Sequence, residues 1–189
     1  MDYQALYREK LRTPEEAVKI IKDGYWVDYS QTCSYPQALD AALARRSGEL
    51  RDVKIRNAIS MIPIHTVEND PYGSFTYNLW HCSGLDRKYI DQGKAFHSPM
   101  LFRQYGTYYR KGYAPVNVAM ITVAPMDRNG NFSYGLTNCA TQEILDAAEH
   151  IVVEVNPTMP FIAGIANDNI NVRYVDMIVE SDLPIPTMK

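Results

Sequence analysis

Cysteine is scarce in this chain. Cys33, Cys82 and Cys139 are odd in number, far apart, and form no CxxC pair. A structural zinc site needs close pairs of soft ligands, so that class is excluded. His65, His81, His97 and His150 fall at no metal-ligand spacing with carboxylates, and no metal is expected. Excess positive charge is missing too. The 19 Lys and Arg face 22 Asp and Glu, for a formal charge of -3. A nucleic-acid partner is disfavoured without a basic face. No apolar run approaches the roughly 18 residues that suggest a membrane span, so no membrane partner is expected. Met1-Asp2-Tyr3-Gln4 lacks the basic-then-apolar order of an export signal. Reduced thiols in a cytoplasmic protein are the expectation that follows. Repeats and low-complexity tracts are also absent.

What is present is enough chain, 189 residues, for one domain with a real core. Its most informative stretch runs from Val116 to Asn138. Val116–Val123 is nearly all apolar, the pattern of a strand buried on both faces. Pro125 ends it, and Asn129-Gly130 supplies a turn because both residues accept positive φ. Phe132 and Tyr134 alternate with Asn131 and Ser133, which predicts a returning strand of a hairpin. Asn138 is then placed to cap a helix reaching about Ala148. Such a loop stands at one end of a sheet, where ligands sit in open α/β folds.

The rest of the chain alternates strands and helices. A helix over Asp2–Lys10 packs Tyr3, Leu6 and Tyr7. Thr13-Pro14-Glu15-Glu16 opens a second with a capping box, and Gly24 is its stop. A strand at 25–29 leads through Gln31–Pro36 to a helix ending near Arg46. Strands follow at 53–59 and 75–80, with a loop between them from Pro63. Ser83 caps a helix to Gln92, and Ser98-Pro99 opens another to Lys111. Strands at 150–155 and 172–179 complete the pattern. Alternation at this spacing predicts an α/β fold, a mostly parallel sheet covered by helices. Residues 1–180 form the domain. Residues 181–189, with Pro184 and Pro186, begin a stiff connector of the kind found at domain boundaries.

Candidate chemistry is thin. Gly130–Gly135 has the glycine spacing of a phosphate loop, but Leu136 stands where the lysine belongs. Amides at the helix start after Gln31–Pro36 can meet a phosphate or carboxylate. Cys33 and Tyr35 suit the wall of an apolar pocket instead. His81 and Cys82 point to opposite faces if they lie on a strand, so the histidine does not activate the thiol. Arg103–Lys111 reads as tyrosines packing inward with solvated charges, ahead of a base-stacking surface. Glu15, Glu16, Glu49, Glu143, Glu149, Glu154 and Glu180 include no convincing nucleophile. Glu154 is noted as lying inside a strand.

Several ordered segments nevertheless match a known pattern. They are Glu16-Ala17-Val18 through Lys22-Asp23-Gly24, Pro36-Gln37-Ala38-Leu39, Val53-Lys54-Ile55, and Phe75 to Trp80. Val116-Asn117-Val118-Ala119, Ala124-Pro125-Met126-Asp127 with Gly130 and Gly135, and Val153-Glu154-Val155-Asn156 with Met159-Pro160 continue the series. Together they make the chain resemble the N-terminal domain of the acetyl-CoA hydrolase/transferase family, nearest its butyryl-CoA:acetate and 4-hydroxybutyrate CoA-transferases. The resemblance implies a NagB/CoA-transferase-like domain and a second, related C-terminal domain as partner. It implies acyl-CoA and a short-chain carboxylate as substrates. Coenzyme A is then a substrate, and no cofactor is needed. It implies a cytoplasmic homo-oligomer in which a glutamate attacks the thioester. That glutamate belongs to the second domain, beyond Lys189, which makes the chain an inactive half on its own. By position, Gln31, Met61 and Asn138 are the substrate-binding candidates. Where relatives have Gly or Glu near Ser34 and Tyr35 this chain has neither. Hydrolysis by the same family, and a non-catalytic ligand-binding domain, remain as alternatives.

Overall fold

In the computed structural model, residues 2–187 are described. Nine strands are found among them. In chain order these are β1 (Trp26–Tyr29), β2 (Val53–Asn57), β3 (Phe75–Leu79), β4 (Ala95–His97), β5 (Val116–Val123), β6 (Asn131–Ser133), β7 (Ala148–Val155), β8 (Asn169–Asn171) and β9 (Met177–Glu180). Seven of them form one sheet in the order β4-β3-β2-β1-β5-β7-β9, with every neighbouring pair parallel. The helices are α1 (Tyr3–Lys10), α2 (Pro14–Ala17), α3 (Gln37–Ala44), α4 (His65–Glu68), α5 (Gly84–Asp91), α6 (Tyr105–Arg110) and α7 (Thr141–Ala147).

The apolar run of β5 is buried on both faces. Val118 and Met120 join one core with Leu39 and Leu43 of α3 and Tyr89 of α5. Ala119, Ile121 and Val123 join a second with Tyr105 and Tyr109 of α6 and Ile144 and Leu145 of α7. Period-two alternation on a doubly covered strand produces this division. Tyr3, Leu6 and Tyr7 of α1 pack on the second core, as their spacing predicts. Capping chemistry sets the helix starts. Asp2 accepts from the Ala5 amide at 2.9 Å, and Thr13–Glu16 and Ser83–Asp86 both form capping boxes.

Several elements differ from the sequence reading. α2 tightens into a 3-10 turn at Val18–Ile20, well before Gly24. Gly24 has φ 77° and hands its amide to Arg51 O at the entry to β1. The stretch after Pro63 holds α4, whose first amides bond to a distant carboxylate, a partner no local pattern reveals. Residues 98–111 are not one helix. A 3-10 turn at Phe102–Gln104 precedes α6, and the edge strand β4 lies just before. The expected 172–179 strand begins as a 3-10 turn at Val172–Tyr174 and only then becomes β9, while β8 lies just before it.

The hairpin is the main correction. Among the described residues, the two arms share just two backbone bonds, Ala124 N to Ser133 O and Asp127 N to Asn131 O, with the Asp127 side chain also holding Asn131. β6 finds its ladder partner in β8, antiparallel, with Phe132 opposite Ile170. β5 is already flanked on both edges by β1 and β7, so it has no edge left to offer.

The connector segment is tied back to the domain. Asn156 donates to Leu183 O at 2.7 Å and Gln37 to Pro184 O at 2.7 Å. Met188 and Lys189, the end of the predicted connector, lie outside the described residues.

Candidate functional site

The chain builds β1 to β4 outward in one direction, then returns to place β5, β7 and β9 on the other side of β1. The loops leaving β1 and β5 therefore part company at the carboxyl ends of these strands. Such a switch point opens a crevice without any side chain being spent on it. Three loops meet there: residues 30–36 after β1, 58–64 after β2, and 134–140 beyond β6.

Gln31 is buried at the base of the first loop. Its side chain reaches the Cys139 thiol, and that contact opposes the burial that pushes the thiol up. Thr32 follows with φ 51°. Its hydroxyl pairs with the Thr137 hydroxyl at 2.6 Å, and its amide donates to Ile59 O at 3.2 Å. Cys33 Sγ lies 3.9 Å from Met61 Sδ. Ser60, next to Met61, is fixed by the buried Asp86, whose carboxylate accepts from the Ser60 amide at 3.1 Å. The loop that carries Gln31 and the loop that carries Met61 thus touch through Cys33.

Asn138 has a different partner. It is exposed, and its amide nitrogen donates to Asn167 O at 2.7 Å. Nor does it cap α7, which starts at Thr141 after Ala140 with no side-chain cap. Gly135, at φ 67°, lets the 134–140 loop pass so close to Met159 that a side chain there would overlap it. Gly130 (φ 81°) does the same against the ring of Tyr3. The two glycines of the phosphate-like spacing are therefore used for close packing.

The amides at the start of α3 do meet a carboxylate, and it is the chain's own. Pro36 offers no side-chain cap. Glu154 of β7 fills the place, accepting from Ala38 N at 3.2 Å and Leu39 N at 3.0 Å. It is 1% exposed. Burial raises its carboxyl above the usual range, and those two amides oppose the shift. The helix start is thereby closed to an outside anion. We expect Glu154→Ala to leave both amides unpaired and to cost about 2–4 kcal/mol. Glu154→Gln, which keeps one acceptor, loses less. Urea unfolding at pH 7 distinguishes them.

The remaining candidates do not converge. The His81 ring packs 5.7 Å from Phe102, while Cys82 packs on the opposite core, although neither residue lies on a strand. His150 faces Asp176 at 3.9 Å, and His65 faces Asn69 at 3.4 Å. Among the described residues, no three metal-capable side chains come together, and no helix is long and apolar enough to cross a membrane. Tyr105 and Tyr109 are buried while Arg103, Arg110 and Lys111 are exposed, as an inward-packing segment requires. A hollow of about 570 Å³ opens beside the crevice, at the ends of β5, β7 and β9. Met126, Val155 and Glu180 line it, and Tyr7 donates to Glu180 at 2.7 Å.

Sequence reasoning missed Thr32 and Thr137. A β-branched residue at positive φ leaves no trace in a pattern of polarity, and their pairing spans 105 positions.

The comparisons with known proteins agree in direction. The model of the acetyl-CoA hydrolase/transferase N-terminal domain matches residues 1–188. The butyryl-CoA:acetate CoA-transferase of Anaerostipes caccae is 40% identical over 97% of this chain and 42% of its own length. The probable butyrate:acetyl-CoA coenzyme A-transferase of Syntrophomonas wolfei is 38% identical over 98% of this chain and 42% of its own length. The crystal structure of RipA from Yersinia pestis superposes with a TM-score of 0.88 at 30% identity, covering 100% of this chain and 46% of RipA. The chain therefore spans less than half the length of the curated relatives it matches.

Proposed function

The chain belongs to the acetyl-CoA hydrolase/transferase family, as its N-terminal domain, and we propose that it forms one wall of the active site of an acyl-CoA:carboxylate CoA-transferase. One observation carries this reading. Gln31, Thr32, Cys33, Met61 and Thr137, brought together on the loops at the switch point, include no carboxylate and no histidine. The buried carboxylates around these loops are already held, Glu154 by two amides, Asp86 by the Ser60 amide and Asp40 by Tyr35 among others. Such a wall binds and excludes water, and the reactive carboxylate comes from the family's second domain.

The chemistry that follows is exchange without loss. A glutamate attacks the acyl thioester, releasing CoA thiolate and leaving a mixed anhydride. The thiolate then attacks the glutamyl carbonyl, freeing the first acid and forming a glutamyl-CoA thioester. The incoming carboxylate reverses both steps. Water in the crevice would hydrolyse the thioester, so the packed loops here protect it. Gln31 supplies a neutral amide to a substrate oxygen, and the Cys33–Met61 pair borders the acyl chain. Asn138 stands at the rim. CoA is a substrate, and the reaction so read needs no cofactor. Butyrate, acetate and 4-hydroxybutyrate are the acids that the relatives' names suggest. A cytoplasmic homo-oligomer is the setting.

Hydrolysis is the second reading, because the family includes both activities. Product analysis separates them. The protein joining this chain to the second domain is given butyryl-CoA with and without acetate. Transfer yields acetyl-CoA and butyrate together, only with acetate present. Free CoA accumulating without acetate identifies a hydrolase, and no reaction at all leaves a binding domain.

A further inference from the structure

Among the described residues, the other two non-glycine residues at positive φ are Asp52 and Asn167, types that tolerate this conformation. Thr32 is β-branched, and its φ of 51° is a costly choice for it. The strain persists because neighbours over-determine the residue. Its amide is fixed by Ile59 O, from the loop after β2. Its hydroxyl is fixed by Thr137, from the loop beyond β6. Ser34 Oγ donates to Tyr134 O at 3.2 Å, a second tie between the same two loops. Thr137 is buried, so water competes poorly for the hydroxyl pair. On either side of Thr32 stand Gln31, against Cys139, and Cys33, against Met61.

From this arrangement we infer that the Thr32–Thr137 hydroxyl pair is a latch that positions Gln31 and Cys33 as the substrate-facing wall of the crevice. The inference rests on the CoA-transferase reading for its substrate and deepens it. Thr32 is a positioning residue, acting through its two neighbours. Without the pair, Thr32 can relax toward negative φ. Gln31 and Cys33 then swing with it, because a change in one φ reorients the chain on both sides.

The test uses the protein in which this chain is joined to the second domain. Thr32→Val and Thr137→Val each remove the bond while keeping the shape. Each is expected to raise KM for the acceptor acid about five- to tenfold, the effect of one partly buried hydrogen bond, with kcat changed less than about twofold. The double variant is expected to match the single ones, since both delete the same interaction. Thr32→Ser, which retains the hydroxyl, restores the affinity. A second readout needs no activity: the rate of Cys33 alkylation, mapped by peptide mass. It rises in both Val variants and stays low in Thr32→Ser. Unchanged alkylation overturns the latch, whatever the kinetics. Raised alkylation with unchanged KM overturns its substrate role. Absence of any exchange by the wild-type protein overturns the functional reading instead, and alkylation still decides the latch.

Discussion

Arg56→Met is expected to cost about 3–5 kcal/mol at pH 8, which for a chain of this size is a drop in Tm of about 10 °C or more. Arg56 and Asp28 are register partners on β2 and β1, with Nη1 to Oδ2 at 2.9 Å and both side chains almost wholly buried. The guanidinium lies 4.2 Å over the ring of Trp26, and Tyr109 donates to the same aspartate at 2.8 Å. Burial raises the Asp28 carboxyl to about 6, desolvation outweighing both the guanidinium and the hydroxyl. The folded state therefore holds this proton more tightly than the unfolded chain, whose aspartates titrate near ~4. The group's contribution is whole below that value and is lost as pH rises through about 6. Without Arg56 the carboxyl moves further up. The loss in Arg56→Met is thus smaller at pH 5, where the carboxyl takes a proton, and grows toward pH 8. Adding Asp28→Asn to Arg56→Met removes that pH-dependent part. Urea titrations at the two pH values give all four numbers.

Asp40→Ala is the second large effect, again about 3–5 kcal/mol. Asp40 sits in α3 with no solvent contact and accepts from four residues around it. Tyr29 at the end of β1 donates at 2.7 Å, Thr66 at 2.7 Å, the His65 amide at 2.6 Å, and Tyr35 from the crevice loop. Burial raises both tyrosine hydroxyls well above their usual range, so they remain donors. Alanine leaves each of these donors buried without an acceptor. It also releases the start of α4, where Asp40 does the work of a cap. Amide exchange at His65 and Thr66 should accelerate with the loss of Tm. The exposed Glu15–Arg45 pair is the contrast. Glu15→Ala should leave Tm within error, because an ion pair in water holds little net energy.

These examples mark the boundary of what the sequence makes legible. Period and capping are local, so α1, the box at Thr13, the cap at Ser83 and a mostly parallel sheet can be read directly. Asp28 and Arg56 leave one weak local trace, a charge inside each of two short apolar strands, but their pairing does not. Asp40 and Glu154 find partners 5 to 116 positions away, and Asp86, besides its own capping box, holds Ser60 26 positions away. β6 looks like the return of a hairpin until the sheet order shows that β5 has no free edge. Asn138 has a cap-like residue type at a helix-like start. A tight loop instead commits it to Asn167. At the candidate site, the resemblance marks Gln31 and Met61, and the fold brings their loops into contact through Cys33 and Thr32. The strained Thr32 between them is visible only in three dimensions.

The most direct test of the central claim is to locate the covalent carboxylate. The protein joining this chain to the second domain is treated with butyryl-CoA and then borohydride, which reduces a glutamyl-CoA thioester to an alcohol. Peptide mapping then finds the altered residue. The account predicts a single altered glutamate outside residues 1–189 and every glutamate of this chain intact, Glu154 included. Reduction at any glutamate within this chain would contradict it.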